Sequence, residues 1–594
     1  MHSEQHSGHG TAWLQLADQS GFFSGLKAMT EVMVEEYQQY RAPSEDGASL
    51  IAPSLERLVS VLNGTAASGQ EAAVDLGGLE FCGKPWRLVR EQARAEAVAL
   101  ALDYTSQYLD VAALRQDAET LATRPVVMSG HQPELFHPGV WFKNFLLSSL
   151  AEKTNTIAIN FLVDNDLCRS TSIRVPTHMH AGATHQTNHV EGESTDPFGV
   201  AKVPFDELGE PLPWELRTVQ SHELWDSFPD RVERLLNVSD LAAPESPALL
   251  RELWTDATES LQRTSRPGLA IAEARHRMEH RLGLRTLEVP LSQLVATRAF
   301  ARFSIQLLSE LPRFQEVYND QLGRYRSAHR IRNHAHPVPA LEQEQDWLEA
   351  PWWVYRADAP KRQKLWVRMR DAQLILSDRS GWQAVIEGRL DCDNASAQWL
   401  QLLSDGVCLR PRALLTTMYS RLIVSDMFLH GIGGGKYDQL TDAIVGDFFG
   451  IAPPPMAVAS ATLHLPMGGE TGVGLRERTS KLIRQQEQRL WELKFHADQV
   501  ADLTGEEAER LRAHKQELLN HIPEKGDKWE WHRDMTRTNQ RLSQLASDAT
   551  NATKARIAEL IAMEKQVRIA QSREYSFCLY PRKYLAQRLR EMAR

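Results

Sequence analysis

Pro125-Val126-Val127-Met128-Ser129-Gly130-His131-Gln132-Pro133-Glu134-Leu135-Phe136-His137-Pro138-Gly139, with Thr156-Ile157-Ala158-Ile159-Asn160-Phe161-Leu162-Val163 one helix-length further on, decides the fold. The first four residues are a short β-prone run, and Ser129 to Pro133 has the composition of a turn. Residues 139–152 read as a helix with Val140, Phe142, Phe145, Leu146 and Leu150 facing inward. Thr156 to Val163 is an apolar run of strand length. Strand, turn, helix and strand in succession make a βαβ unit with parallel, buried strands. The reading is therefore an α/β protein, with this unit at the edge of a doubly wound parallel sheet. Ligands of such sheets bind beyond the carboxyl ends of the strands, where the turns after Met128 and Val163 lie.

Working outward, residues 1–120 read as a mainly helical region packing on the core, with helices over 50–63 and 85–120. In the second helix Leu88, Ala93, Ala97, Leu100, Leu102 and Leu109 approximate one face. Residues 121–190 hold the first half of the core, and 191–335 a mostly helical insertion that includes a charged helix from Tyr318 to Arg332. Strand-like runs return at Pro351-Trp352-Trp353-Val354-Tyr355 and Lys364-Leu365-Trp366-Val367, so 336–470 reads as the second half of the α/β core, closed by a strand from Met456 to Leu463. From Leu475 apolar residues recur every seven, as in Leu475/Leu482, Ile483/Leu490 and Leu511/Leu518. The break at Ile522-Pro523-Glu524-Lys525-Gly526 divides the stretch. Two long helices with a short connection predict an antiparallel coiled-coil arm over 471–572, roughly 65 Å long at 1.5 Å per residue. Residues 573–594 then return to the core.

The chain has 594 residues, 42% hydrophobic and 24% charged, which suits a globular protein with a sizeable core. Its net charge of −10 gives no basic footprint for nucleic acid or an anionic membrane. Cys82, Cys168, Cys392, Cys408 and Cys578 are scattered and odd in number, which argues against a disulfide framework or a cysteine zinc site and for a reducing, cytoplasmic setting. Neither a signal peptide nor a membrane-spanning run is read.

Several stretches carry candidate chemistry. At Ser129, Gly130, His131, Gln132 and His137 a glycine turn opens a helix, so amides could bind an anion while protonated histidines add charge. The bland reading is a rigid turn with a capped helix. Asp164-Asn165-Asp166 could hold an amine or ribose, or form an Asx turn. Gly433, Gly434 and Gly435, followed by Lys436 and Tyr437, allow close backbone approach to a carboxylate or phosphate; the bland alternative is a flexible connection. The stretch is not a P-loop, because His430 and Tyr437 occupy positions that would need Gly and Ser or Thr. His178, His180, His185 and His189, with Glu191 and Glu193, are more readily a solvated loop than a zinc site. His276-Arg277-Met278-Glu279-His280 has the inverted zincin pattern, but among Glu273, Arg275 and Arg281 it reads as a solvated helix face.

In motif order the chain resembles the bacillithiol biosynthesis cysteine-adding enzymes, from about residue 120 to 585. The resemblance is carried by Ser129 to Phe136, by Val163-Asp164-Asn165-Asp166, by Tyr318-Asn319 before His336-Pro337, by Leu409-Arg410-Pro411-Arg412, by Gly431 to Gly435, and by residues 475–571. The chain departs from the family pattern at His131, Val163 and Asn165, and in lacking a Pro in the glycine stretch. The resemblance implies a Rossmann-like core related to class I aminoacyl-tRNA synthetases, a homodimer formed through the arm, and ligase activity in thiol metabolism that joins a cysteine-like amino acid to an amino-sugar acceptor. From the polar and glycine-rich turns, catalytic roles are expected for His131, His137, Asp164 and Asp166, and substrate contacts at Ser129, Gly130, Gln132, Asn165, Arg410, Arg412, Gly433, Gly434, Gly435, Lys436 and Tyr437. The resemblance specifies no metal and no cofactor, although a nucleotide is compatible with the fold. The alternative function is a non-catalytic assembly protein on the same scaffold.

Overall fold

The computed structural model describes residues 37–65, 78–112, 124–178, 198–238, 246–331, 338–388, 391–466, 475–524, 526 and 528–594. Every described helix and strand belongs to the unit Tyr40–Arg594. Ala48–Ala52 is strand β1, and the cis bond to Pro53 follows it. Ser54 then caps the helix Leu55–Leu62 by accepting from the Arg57 amide, so the helix expected over 50–63 gives its first residues to a strand. Helix α1, Trp86–Thr105, buries Val89, Ala93, Ala97 and Ala101 at helical spacing, whereas Leu88 of the expected face is 55% exposed.

The expected βαβ unit is present. Strand β2, Val126–His131, leads into helix α2, Pro138–Thr154, and on to strand β3, Ile157–Leu162, which runs parallel to β2. Pro138 at the first turn and Asn155 in the left-handed conformation punctuate α2. Helix α3, Pro267–Arg281, then precedes strand β4, Leu287–Pro290, which pairs parallel with β3. The expected helical insertion thus contains a core strand. Only four residues long and interrupted by Glu288, it offers no apolar run to read.

Strands β5, Trp347–Arg356, β6, Ala359–Arg370, and β7, Val407–Pro411, belong to a separate antiparallel sheet, in which Gln373–Ser377 and Gln383–Ile386 extend the β6 side. The α/β core expected from residue 336 accordingly resumes only with strand β8, Met427–His430, helix α4, Ile432–Phe449, and strand β9, Met456–Thr462. Long strands β5 and β6 joined by a tight turn favour a hairpin over a crossover.

The main sheet has the order β1-β9-β8-β2-β3-β4, parallel except for β1. The parallel strands follow the 3-2-1-4-5 order of doubly wound sheets, with the change of direction between β2 and β8. The unit expected at the sheet edge therefore lies inside it, because β8 and β9, some 300 residues later in the chain, add to the free side of β2. Both faces are covered. Val127, Ala457, Ala459 and Ala461 join Trp141 and Phe142 of α2 in one apolar cluster, while Gly435 of α4 lies against Val458 on the other face. Tyr575, Phe577, Leu579, Leu585 and Leu589 complete the first cluster, so the final segment packs on the core.

Between these lie helices α5, Leu475–Phe495, α6, Glu506–Asn520, α7, Lys528–Leu545, and α8, Ser547–Ala570, with a short turn of helix at Ala497–Val500. The first expected long helix is broken twice, at His496 and again before Gly505 at φ 105°, and the second once, at Ala546. Ser480 bonds Glu564, Glu507 pairs with Arg541, and Trp531 donates to the Leu518 carbonyl, so the two legs run in opposite directions. Leu493, Ala497, Leu503, Ala508, Leu542 and Ala546 pack between them. Among the described residues no helix is long and apolar enough to cross a membrane.

Cys82 and Cys392 form a disulfide with Cα atoms 5.7 Å apart, contrary to the expectation of unpaired cysteines. Cys82 occupies the turn of a small hairpin, and Cys392 opens the helix Cys392–Ser404. At a sequence separation of 310, spacing could not reveal the pair.

Candidate functional site

The crevice between the carboxyl ends of β2 and β8 gathers the first group of candidates. Ser129 is spent on the sheet, its hydroxyl donating to the Leu429 carbonyl at 2.9 Å. Gly130 has no room for a side chain, since a Cβ would lie 2.3 Å from the Phe161 ring. Its carbonyl accepts from Lys143 Nζ at 2.7 Å. Lys143, on α2, is almost fully buried; burial and the nearby Arg275 push its ammonium down to about 8.

The three glycines are not a loop. Gly431 is the N-cap of α4 and provides no side-chain cap, so Gly433, Gly434 and Gly435 form the first helical turn. Amides there point outward and carry the positive end of the helix dipole. Gly434 and Gly435 pack against His430 and Val458, while a Cβ on Gly433 would meet nothing within 4 Å. Lys436 and Tyr437 are half-buried in the next turn. Behind them His430 Nε2 lies 2.8 Å from Asp438, which also accepts from Arg421 at 2.6 Å and Thr417 at 2.5 Å. Burial alone would raise the Asp438 carboxyl, but Arg421 and His430 outweigh it and hold it well below its ordinary range.

His131 ends β2 and is buried. Its Nε2 accepts from Asn160 at 3.1 Å and Asn144 at 3.5 Å, while its Nδ1–H donates to the Gln132 carbonyl at 3.0 Å. That pattern fixes one neutral tautomer. Burial, Arg275 and Lys143 all press the imidazole well below its ordinary pKa. His137 is the N-cap of α2, its Nδ1 accepting from the Gly139 amide at 3.1 Å, and burial lowers it too. The expected protonated pair is therefore replaced by two neutral, internally bonded rings. At His137 the capped-helix reading is the correct one.

A network that sequence reasoning missed lies behind His131. Asn144 passes its amide to Glu279 at 2.7 Å and Asn160 to Glu288 at 2.7 Å, and Arg275 grips both carboxylates at 2.5 Å. Glu273, Arg275, His276 and Glu279 are all at most 2% exposed, so the face read as solvated is the buried one. Each charge answers another inside the fold, and Tyr104 and Tyr108 meet Glu273 and His276. The outer arginines Arg277 and Arg281 pair with Glu259, Asp256 and Glu252.

Asp164, Asn165 and Asp166 lie at the carboxyl end of β3, facing the antiparallel sheet. Asp164 accepts from the Ser292 amide at 2.9 Å and hydroxyl at 2.5 Å; burial and neighbouring Glu215 raise it to about 7. Asn165 donates to the Pro411 carbonyl at 3.2 Å. Asp166 receives Gln132 at 2.5 Å and Arg362 at 3.0 Å. Arg410 is doubly bonded to Glu215 at 2.9 Å, where Tyr355 also donates. Arg412 pairs with Glu349 at 2.6 Å and lies 4.3 Å from the Trp353 ring centre. The β3 turn and the β7 arginines are thus joined through Asn165, while the glycine turn sits across β2 on the other side.

His180, His185, His189, Glu191, Glu193, His336 and Pro337 lie outside the described residues, as does the side chain of His178. Tyr318 and Asn319 bond the Pro339 and Leu341 carbonyls instead of reaching the crevice. Among the described residues no three His, Cys, Asp or Glu side chains gather as a metal site. No protein-family model matches this chain, and no curated protein matches it.

Proposed function

We propose that this chain is an enzyme of the ligase type, joining a cysteine-like amino acid to an amino-sugar acceptor, with the anionic part of a substrate held in the crevice between β2 and β8. One observation carries the reading. At the point where a doubly wound sheet changes direction, α4 opens without a side-chain cap on glycines, and the buried ammonium of Lys143 is near enough to act on His430 just before it. A carboxylate or phosphate there would accept from the Ile432, Gly433 and Gly434 amides. Asp164, whose pKa is raised to about 7, is a candidate proton acceptor for an amine only if that part of the substrate reaches across β2 to the β3 turn. A nucleotide is the energy source such a crevice would accept. The motif order shared with the cysteine-adding enzymes suggests the substrate class, and the free amides at the start of α4 support an anion there.

The test is thermal stabilisation of the full chain by ATP, L-cysteine and glucosaminyl-malate, each at millimolar concentration. At 100 times its Kd a ligand adds about 2.7 kcal/mol, which moves the melting midpoint visibly. Stabilisation by none of the three removes the substrate assignment.

A second reading is favoured by the internal bonding of His131, both of whose ring nitrogens are taken, and by the use of His137 Nδ1 as a helix cap. It is a non-catalytic protein that assembles through the arm as a coiled-coil homodimer. Leu482, Trp491 and Ile561 on the arm are 41%, 50% and 52% exposed, apolar surface that a second copy would cover. Light scattering on a chain lacking residues 475–571 separates the readings: loss of the dimer with retained ligand binding assigns assembly to the arm and leaves the crevice as the enzyme site.

A further inference from the structure

Helix α9, Arg582–Met592, buries Leu585 and Leu589 in the core and turns its other face outward. On that face a concavity of about 350 Å³ is floored by Leu282 and Ala586 and rimmed by Arg582, Lys583, Arg590 and Arg594. Lys583 and Arg590 lie two turns apart on one side of the helix, and Arg594, just past its end, lines the same hollow. Arg582 is spent on Glu252 at 2.9 Å, and Glu591, also on the rim, is turned to Arg588 at 3.4 Å. Lys583, Arg590 and Arg594 have no carboxylate partner among the described residues. Three unpaired cations around one hollow stand out in a chain whose net charge is −10.

From this geometry we infer a second ligand site, for a small phosphate-bearing anion, in the concavity between Leu282 and α9. The hollow is of small-molecule size. Two guanidiniums and an ammonium suit the tetrahedral oxygens of phosphate, and Leu282 with Ala586 gives an apolar floor for the body of the ligand. The site is distinct from the crevice. Ser149 of α2 donates to the Ala593 carbonyl beside it at 2.7 Å, twelve residues, or about 18 Å of helix, from His137.

The test is hydrogen exchange of the full chain with and without inorganic pyrophosphate, comparing the native sequence with Lys583→Ala/Arg590→Ala/Arg594→Ala. All three side chains are exposed, so the variant keeps the fold. Pyrophosphate slows exchange in residues 582–594 of the native chain, and the variant needs about tenfold more for the same protection. Residues 430–440 report the crevice separately, so failure of one site is not failure of the other. Equal protection of 582–594 in the variant, or none in the native chain, overturns the inference. Protection of that segment by phosphatidylglycerol vesicles but not by pyrophosphate overturns it in favour of a lipid surface.

Discussion

Asn160 donates one amide proton to His131 Nε2 at 3.1 Å and the other to Glu288 at 2.7 Å. Asn144 makes the matching pair of contacts on the other side, with His131 and Glu279. Arg275 closes the ring by binding both glutamates, so a six-membered circuit of side chains fixes the turn that opens the crevice. Inside a fold such a circuit is stable only while every charge is answered.

Arg275→Met leaves Glu279 and Glu288 as neighbouring unpaired carboxylates. Urea unfolding should show a loss of about 3–5 kcal/mol, and adding Glu279→Gln and Glu288→Gln should recover part of it. A loss below about 1 kcal/mol for the single change would contradict the role of the circuit.

Lys143 gives a pH signature. Its folded pKa of about 8 lies below the ordinary 10.5, so between those values the unfolded chain holds a proton that the native chain has released. Stability should therefore rise as pH climbs from about 8 towards 10.5, with the cost of the buried charge fully present below 8. Lys143→Met should flatten that rise in urea melts taken across the range. An equal slope in the variant would assign it to other groups.

Gly433 and Gly435 should separate binding from folding. A Cβ on Gly435 would sit 2.2 Å from Val458, so Gly435→Ala should cost about 1–3 kcal/mol by pushing α4 off β9. Gly433 faces open space, so Gly433→Asp should melt near the native temperature yet lose the stabilisation that an anionic substrate confers. Retained stabilisation in Gly433→Asp would place the anion elsewhere.

The βαβ unit is legible in the sequence because Ile157 to Leu162 is apolar apart from Asn160, and Pro138 and Asn155 mark the helix ends. Strand β4 is not, since Glu288 breaks a four-residue run and is tolerated only because Arg275 and Asn160 meet it. The same pairing hides the circuit: Glu273, Arg275 and Glu279 at helical spacing look solvated until their partners on other elements are known. The glycine stretch shows itself as a site for an anion but not as the first turn of a helix, because three glycines carry no helix signal. Strand β1 reads as helix since Leu50 and Ile51 fit either period.

The Cys82–Cys392 bond closes a loop of 310 residues, so reducing it releases substantial chain entropy to the unfolded state. Cys392→Ala should lower stability by about 2–5 kcal/mol in oxidised protein and change nothing under dithiothreitol. In a cytoplasmic setting the pair would be reduced, so its oxidation state in freshly lysed cells bears directly on location. Equal melts with and without reductant would show that the bond contributes nothing.

The crevice between β2 and β8 is tested most directly by a crystal structure of the full chain grown with ATP and glucosaminyl-malate. The expected result is a phosphate or carboxylate group within hydrogen-bonding distance of the Ile432, Gly433 and Gly434 amides, with Gly130 and Lys143 alongside. A ligand ordered away from that turn, with the α4 amides facing only solvent, would contradict it.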